Sequence, residues 1–422
     1  MTQPDKRRVY LASIALAASM MLTAVAMLPV AKAQGVVPVP NTIDPQQVIS
    51  TLTTVADWQL AHTTERDPRH WSIAPLLAGL IDASLATGTP EYLAAVLRVG
   101  IRIDFDLGSR TYHADGHGAG YSWLRIYFMD RERDADFLEP FIEQFDEIVE
   151  NPINEDLSFS EEPPEGLFRT DRWSWADALY MSPPTIALLA EATGKKSYRR
   201  YIDAEFRYAF DMLYDTEDNL FYRDDTYIDD RTPNGEKVFW SRGNAWVYAG
   251  VSRLLEILPE DYPTRCFYVT LFREMSRSLL AAQQPDGHWY TSLLDPEHVP
   301  VGETSGSALF VSAMARGVSL GIIESEVYWP AVERGWSAIL TRIDPDGAVN
   351  FVQPFGEAPE PFSPESRTTY GTGAVLLAGS QIVRALGATP DVEPAAFLAQ
   401  AEALVGEVPD LTSICEEPCM DL

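Results

Sequence analysis

Six times along the chain, an aromatic or small-residue loop opens into an apolar helical pattern. These openings lie near Trp71, Tyr121, Trp175, Asn244, Ser305 and Tyr370, at intervals of 50, 54, 69, 61 and 65 residues. Each interval holds two helix-length patterns. The second begins where polar residues precede an aromatic, as at Tyr92 in TGTPEYLAAV, Phe137 in RERDADFLEPF, Tyr198 in TGKKSYRRYI and Tyr328 in IIESEVYWPAV. Turns with short extended residues follow, at DNLFY, DGHWY and DGAVN, where the Asp-Gly and Asp-Asn pairs are turn chemistry. A single helical hairpin buries no core, so six must stack. An open superhelix needs polar capping repeats and presents a long groove. A closed ring suits this chain better, because the loops before the inner helices are rich in Trp, Tyr, Asp, Arg and Gly and would converge on one mouth. The pattern therefore predicts an all-α chain, an (α/α)6 barrel of six helical hairpins over residues 48–390. Long strand-like alternation is scarce, which argues against a β-propeller or an α/β barrel.

The ends read differently from the middle. Lys6, Arg7 and Arg8 precede an apolar run from Leu11 to Val30, and Ala31-Lys32-Ala33 has the small-x-small form of a signal-peptidase site. Residues 1–33 are expected to be a cleaved signal peptide, 34–47 a Pro-rich linker and 391–422 an acidic tail. A periplasmic or secreted protein is implied, with no membrane association after cleavage. Removing Asp5, Lys6, Arg7, Arg8 and Lys32 takes the totals of 32 basic and 62 acidic residues to 28 and 61, a net charge of −33. That excess argues against nucleic acid or an anionic lipid surface as partner. It also means that a site for an anionic substrate must supply its own positive charge. Cys266 lies in an apolar stretch and is expected to be a packed small residue, while Cys415 and Cys419 are spaced for a disulfide in an oxidising compartment.

Chemistry is sought in the opening loops, since their common place in the repeat puts them at one end of the barrel, where a pocket would form. They offer Asp115 in YHADGHGAGYSW, Asp177 in RWSWADALYM, Arg242 in FWSRGNAW, Glu303 in GETSGSAL and Tyr370 in TTYGTGAVLLAG. Asp177 is the sharpest, because Trp173, Trp175, Tyr180 and Met181 surround it. Desolvation there would favour the neutral acid, as a proton donor near neutral pH requires. The competing role is a helix N-cap, although Ser182 before Pro183-Pro184 offers another cap. His113, Asp115 and His117 alternate in the manner of metal ligands, but no second cluster completes a shell, and a polar rim to a sugar pocket suits them better. Arg242 could supply the positive charge, its planar fork matching a carboxylate. Trp58, Trp71, Trp123, Trp246 and Trp289 are each either stacking platforms for sugar rings or core fill.

The motifs WADALYMSPP, FWSRGNAWVYAG, QQPDGHWYTSLLDP, ETSGSALF and YGTGAVLLAGS occur in the order found in the unsaturated glycuronyl hydrolases of glycoside hydrolase families 88 and 105. The chain resembles most the unsaturated rhamnogalacturonyl hydrolases of family 105. The resemblance runs from about Val48 to Leu386 and is looser before Trp173. It implies an (α/α)6 barrel, an anionic oligosaccharide as partner, no metal or organic cofactor, and a monomer or weak homodimer. It implies Asp177 as the proton donor and Asp115 as the second acid, binding sugar hydroxyls or keeping Asp177 protonated by like-charge repulsion. Arg242, Trp240, Trp175, His113, His117 and Tyr370 would bind substrate. One position departs from the family: Arg223, in NLFYRDDTY, stands where many members carry histidine. A second arginine there would suit a sulfate on the neighbouring sugar, which brings sulfated ulvan-type chains into play beside pectin-derived ones.

Overall fold

A computed structural model of the chain describes residues 42–64, 66–130 and 135–412. The expected signal peptide, Cys415 and Cys419 lie outside the described residues. The inner helices are α2 (Ala74–Thr87), α4 (Gly120–Met129), the pair α6 (Ala178–Met181) and α7 (Pro183–Thr193), α9 (Ser241–Ile257), α11 (Thr304–Ser319) and α13 (Thr369–Ala385). The outer helices are α1 (Pro45–Ala61), α3 (Pro90–Arg102), α5 (Glu139–Glu150), α8 (Lys196–Leu213), α10 (Arg265–Ala282) and α12 (Ser325–Leu340). The inner set closes on itself in the order α2, α4, α6/α7, α9, α11, α13 and back to α2. The chain is the (α/α)6 barrel that the repeat predicts.

Sequence explains which helix goes where. Inner helices such as α2, APLLAGLIDASLAT, are apolar on nearly every face and buried along almost their whole length, as a helix enclosed by neighbours must be. Outer helices such as α5 and α8 bury one stripe and leave the other to solvent. The fourth inner position is broken in two because Pro183 and Pro184 cannot continue α6 but can open α7. Small residues let the inner ring close. A Cβ on Gly79 would lie 2.6 Å from the Gly373 carbonyl oxygen, and one on Gly250 would overlap that of Leu179. Gly250→Ala is therefore expected to force α6 and α9 apart and to destabilise the fold by about 3 kcal/mol. A thermal midpoint unchanged from wild type would contradict this close approach.

The Asp-Gly and Asp-Asn turns become short extended pairs. Tyr214–Asp215 pairs antiparallel with Leu220–Phe221, and bridges join Tyr290 to Gly302 and Ile343 to Val349. At the C-terminal end of the inner helices a charged plug fills the barrel axis. Arg125 on α4 meets Asp82 on α2 at 2.5 Å, while Glu256 on α9 pairs with Arg316 on α11 at 3.1 Å and with Arg384 on α13. Arg253 lies between the rings of Tyr121 and Tyr180, 4.2 and 4.3 Å from their centroids.

Three expectations are corrected. Helix α1 begins at Pro45, capped by Asp44, so the linker ends earlier than position 47. The acidic tail is docked as far as residue 412: α14 (Pro394–Leu404) packs on α3, Arg102 pairs with Asp410 at 2.7 Å, and Thr412 bridges Thr64. Cys266 is exposed on α10 rather than packed.

Candidate active site

The N-terminal ends of the inner helices carry most of the predicted residues to one face of the barrel. Asp177 is the residue before α6, and its side chain makes no capping hydrogen bond. Ser182 does not cap α7 either; its hydroxyl instead meets His117 Nδ1 at 2.8 Å. The capping alternative for Asp177 is thus unfilled. Its side chain is 18 % exposed, and its buried Oδ2 has no hydrogen-bond partner among the described residues. Burial pushes the Asp177 carboxyl above the usual carboxylate range, against the pull of Arg223 and Arg242. A like charge that adds to the upward shift is Glu357.

Arg223 reaches Asp177 from the turn after the Leu220–Phe221 strand. Asn244 on α9 clasps Phe221 through both main-chain groups, at 2.8 and 2.9 Å. The Ala176 N–H donates to the Arg223 carbonyl at 2.8 Å, tying the two loops together. The guanidinium lies 4.8 Å from the centroid of the Phe159 ring. It is ringed by carboxylates: Asp224 Oδ2 at 2.7 Å from Nη1, Glu357 Oε1 at 3.2 Å from Nη2 and Asp177 Oδ2 at 3.6 Å from Nε.

Glu357 belongs to a strap, residues 351–367, that joins α12 to α13 across this face. The strap begins with Phe351 in the left-handed backbone region at φ 56°, a conformation that a bulky residue holds only when its surroundings impose it. Phe351 is held by main-chain bonds to Pro364 and Thr304 and by Arg342 over its ring, and the next residues of the strap are held by the predicted substrate residues. Trp240 Nε1 donates to Gln353 Oε1 at 2.8 Å, Arg242 Nη1 and Nη2 donate to the carbonyls of Gln353 and Pro354 at 2.8 and 2.7 Å, and the Tyr370 hydroxyl donates to the Gln353 carbonyl at 2.7 Å. Glu303 accepts from the Gln353 N–H at 3.0 Å while capping α11 through Ser305 and Gly306. Trp240, Arg242 and Tyr370 are brought together as expected, but the polar groups just named are spent on protein. What they present to the mouth is a fixed strap and the Arg242 charge felt by Asp177.

The remaining predicted residues divide. Asp115 is half-buried in a turn of 3-10 helix before α4, and its N–H donates to His113 Nδ1 at 3.2 Å. Burial holds His113 neutral, lowering its pKa to about 3, and its ring tilts against Trp175 at 5.4 Å. His117 is a correction: both ring nitrogens are engaged inside the scaffold, with Ser182 Oγ and the Thr111 carbonyl. The alternating histidines therefore do not converge as ligands. Among the described residues, the carboxylates close enough to share a cation are Asp215, Glu217 and Asp218, and the Lys237 ammonium sits among them at 2.8, 3.0 and 2.7 Å. Of the five tryptophans weighed as platforms, Trp123, Trp246 and Trp289 are core. Trp58 stacks on His62, and the half-buried Trp71 packs against Phe355 of the strap and Tyr370. Sequence reasoning missed Gln353, Phe355 and Glu357. The available signal was the Pro-rich polar stretch FVQPFGEAPEPFSPESR ahead of the sixth inner helix.

Comparison with known proteins places the chain in a family. A family profile described as Glycosyl Hydrolase Family 88 matches residues 46–386, nearly the whole barrel. The chain belongs to glycosyl hydrolase family 88. This family 88 enzyme is 36% identical over 335 residues to the unsaturated 3S-rhamnoglycuronyl hydrolase of Formosa agariphila, covering 78% of this chain and 88% of that one. It superimposes on a solved family 88 glycosyl hydrolase from Bacteroides vulgatus with a TM-score of 0.73 at 26% identity, covering 82% of this chain and 100% of that one. A second structure with a TM-score of 0.73, at 29% identity and 82% and 99% coverage, is described as the polysaccharide lyase BACCELL_00875. The Asp177 and Arg223 pair gives the family 88 enzyme a testable pH dependence. Arg223 lowers the Asp177 pKa that burial raises, so Arg223→Gln should raise it further. If protonated Asp177 is the active form, the alkaline limb of the kcat/KM profile moves to higher pH in the variant. A limb that stays in place or moves down would remove Arg223 from this role.

Proposed function

We propose that the enzyme removes a 4,5-unsaturated uronic acid from the non-reducing end of lyase-generated oligosaccharides, with a sulfated rhamnose as the neighbouring sugar. The observation that carries the reading is the buried Asp177 carboxyl, whose Oδ2 accepts no hydrogen bond among the described residues and lies 3.6 Å from Arg223 Nε. A carboxyl whose pKa is raised by burial holds its proton more tightly, as a donor requires, and a buried arginine beside it attracts an anionic sugar. The C4=C5 bond is an enol ether. Asp177 gives its proton to C4, and the C5 cation is stabilised by the ring oxygen. Water adds at C5 as the Asp177 carboxylate takes a proton from it, the hemiketal opens and the glycosidic bond is lost without attack at C1. One carboxyl therefore acts as acid and then as base, unlike the paired carboxylates of ordinary glycoside hydrolysis. The sulfated neighbour is supported by Arg223 and by the relative's name, which specifies a 3S-rhamnoglycuronyl substrate. The segment from Lys6 to Ala33 supports export to the periplasm or beyond, where such oligosaccharides are released.

Three unsaturated disaccharides test the proposal: uronic acid on sulfated rhamnose, on unsulfated rhamnose, and on the rhamnose of rhamnogalacturonan. Hydration destroys the conjugated C=C, so ultraviolet absorbance should fall, fastest with the sulfated compound. Preference for the rhamnogalacturonan compound would overturn the assigned substrate. A rise in absorbance on intact polymer would identify a lyase instead, the activity in the other structure's description.

A further inference from the structure

Arg223 faces one carboxylate that is neither fixed nor catalytic. Asp224 is 2 % exposed, and its second oxygen accepts from the Thr226 N–H at 3.0 Å and from the Thr226 hydroxyl, so it is a permanent partner. Asp177 is the proposed acid. Glu357 is 58 % exposed, and its ion pair with Arg223 Nη2 at 3.2 Å leaves the rest of the side chain in solvent. The backbone on either side is pinned. Gln353 is held by Trp240, Arg242, Tyr370 and Glu303, its Nε2 donates to the Ala358 carbonyl at 2.8 Å, and His298 Nε2 meets the Pro359 carbonyl at 3.1 Å. What can move is the Glu357 side chain.

We propose that Glu357 gates an oxyanion subsite: in the empty enzyme its carboxylate occupies the Nη2 edge of Arg223, and the oxyanion of the incoming saccharide displaces it into solvent and takes its place. A buried guanidinium with a vacant edge is costly, because an unpaired charge has lost its water. An internal carboxylate keeps the edge paired until substrate arrives. The exchange also selects. An oxyanion replaces one ion pair by another, whereas a neutral sugar would have to break the Glu357 pair without replacing it. Asp177 keeps a negative neighbour in either state, Glu357 before the exchange and the substrate oxyanion after it. The inference rests on the proposed function for the identity of the saccharide, but not for the exchange at Arg223.

Glu357→Gln removes the competing charge with little change of shape. Inorganic sulfate is the probe, titrated by calorimetry against wild type, Glu357→Gln, Arg223→Gln and the double variant. Sulfate should bind Glu357→Gln about three- to tenfold more tightly than wild type, a gain of the size expected for one part-exposed ion pair. In the Arg223→Gln background the same substitution should produce no gain. Kinetics on the sulfated and unsulfated disaccharides then locate the oxyanion. A fall in KM with the sulfated compound alone assigns the subsite to the sulfate ester, and a fall with both assigns it to the uronate carboxylate. Equal sulfate affinity in wild type and Glu357→Gln, or the same gain without Arg223, would overturn the gate. Glu357→Ala with an unshifted melting curve guards against misfolding as the cause. If no disaccharide is turned over, the substrate reading has failed, and the calorimetric comparison still tests the gate.

Discussion

Asp177→Asn is expected to lower kcat at least about a thousandfold, the scale of losing a general acid, while KM stays close to wild type. The amide has the size of the carboxyl, and the side chain caps no helix, so the substitution removes a proton without removing a structural bond. Melting should be unchanged. The contrast with a capping role is sharp, since losing an N-cap would cost about 1 kcal/mol of stability and leave chemistry alone. Following C=C absorbance and thermal unfolding on the same preparation separates the two, and near-normal turnover would sink the mechanism.

Glu303→Ala is expected to cost about 4 kcal/mol, seen as a fall of roughly 5–10 °C in the melting midpoint. Glu303 is fully buried and accepts from the Ser305 N–H at 3.1 Å, the Ser305 hydroxyl at 2.7 Å, the Gly306 N–H at 2.6 Å and the Gln353 N–H at 3.0 Å. Truncation strands all four donors in a buried place. It should also loosen the strap at Gln353, so KM for the unsaturated disaccharides rises along with the lost stability. Glu303→Gln keeps an acceptor and should fall between. A variant that melts like wild type would show that the strap is anchored without Glu303.

The barrel was legible in the sequence because its signal is periodic. Openings from Trp71 to Tyr370 recur at the spacing of helix pairs, and inner helices differ from outer ones in how much of their surface is apolar. Asp177 was legible because the residues flanking it in the chain, Trp173, Trp175, Tyr180 and Met181, are buried as their apolar character predicts; the Glu357 charge that it feels comes from far along the chain. The strap was not legible, since its role depends on partners far away in sequence: Gln353 meets Glu303 across 50 residues and Arg242 across 111. A polar residue at a helix start shows where its side chain begins and not what it will bond. Trp240, Arg242 and Tyr370 therefore read as open pocket walls, although they clasp Gln353 and Pro354. His117 misled for the same reason, its partner Ser182 lying 65 positions on. The C-terminal segment read only as an acidic tail, because the arginines that dock it, Arg98 and Arg102, are about 310 residues earlier.

The charged plug of Asp82, Arg125, Glu256, Arg316 and Arg384 stops the barrel at one end, and the strap narrows the other. Substrate is then expected to approach Asp177 from the face that the strap crosses, and product to leave by the same face. On the proposed reaction the freed uronic acid is still anionic and suits the same Arg223 edge as the next substrate. Turnover at high product concentration is consequently a contest for that edge, and adding back the product should inhibit competitively.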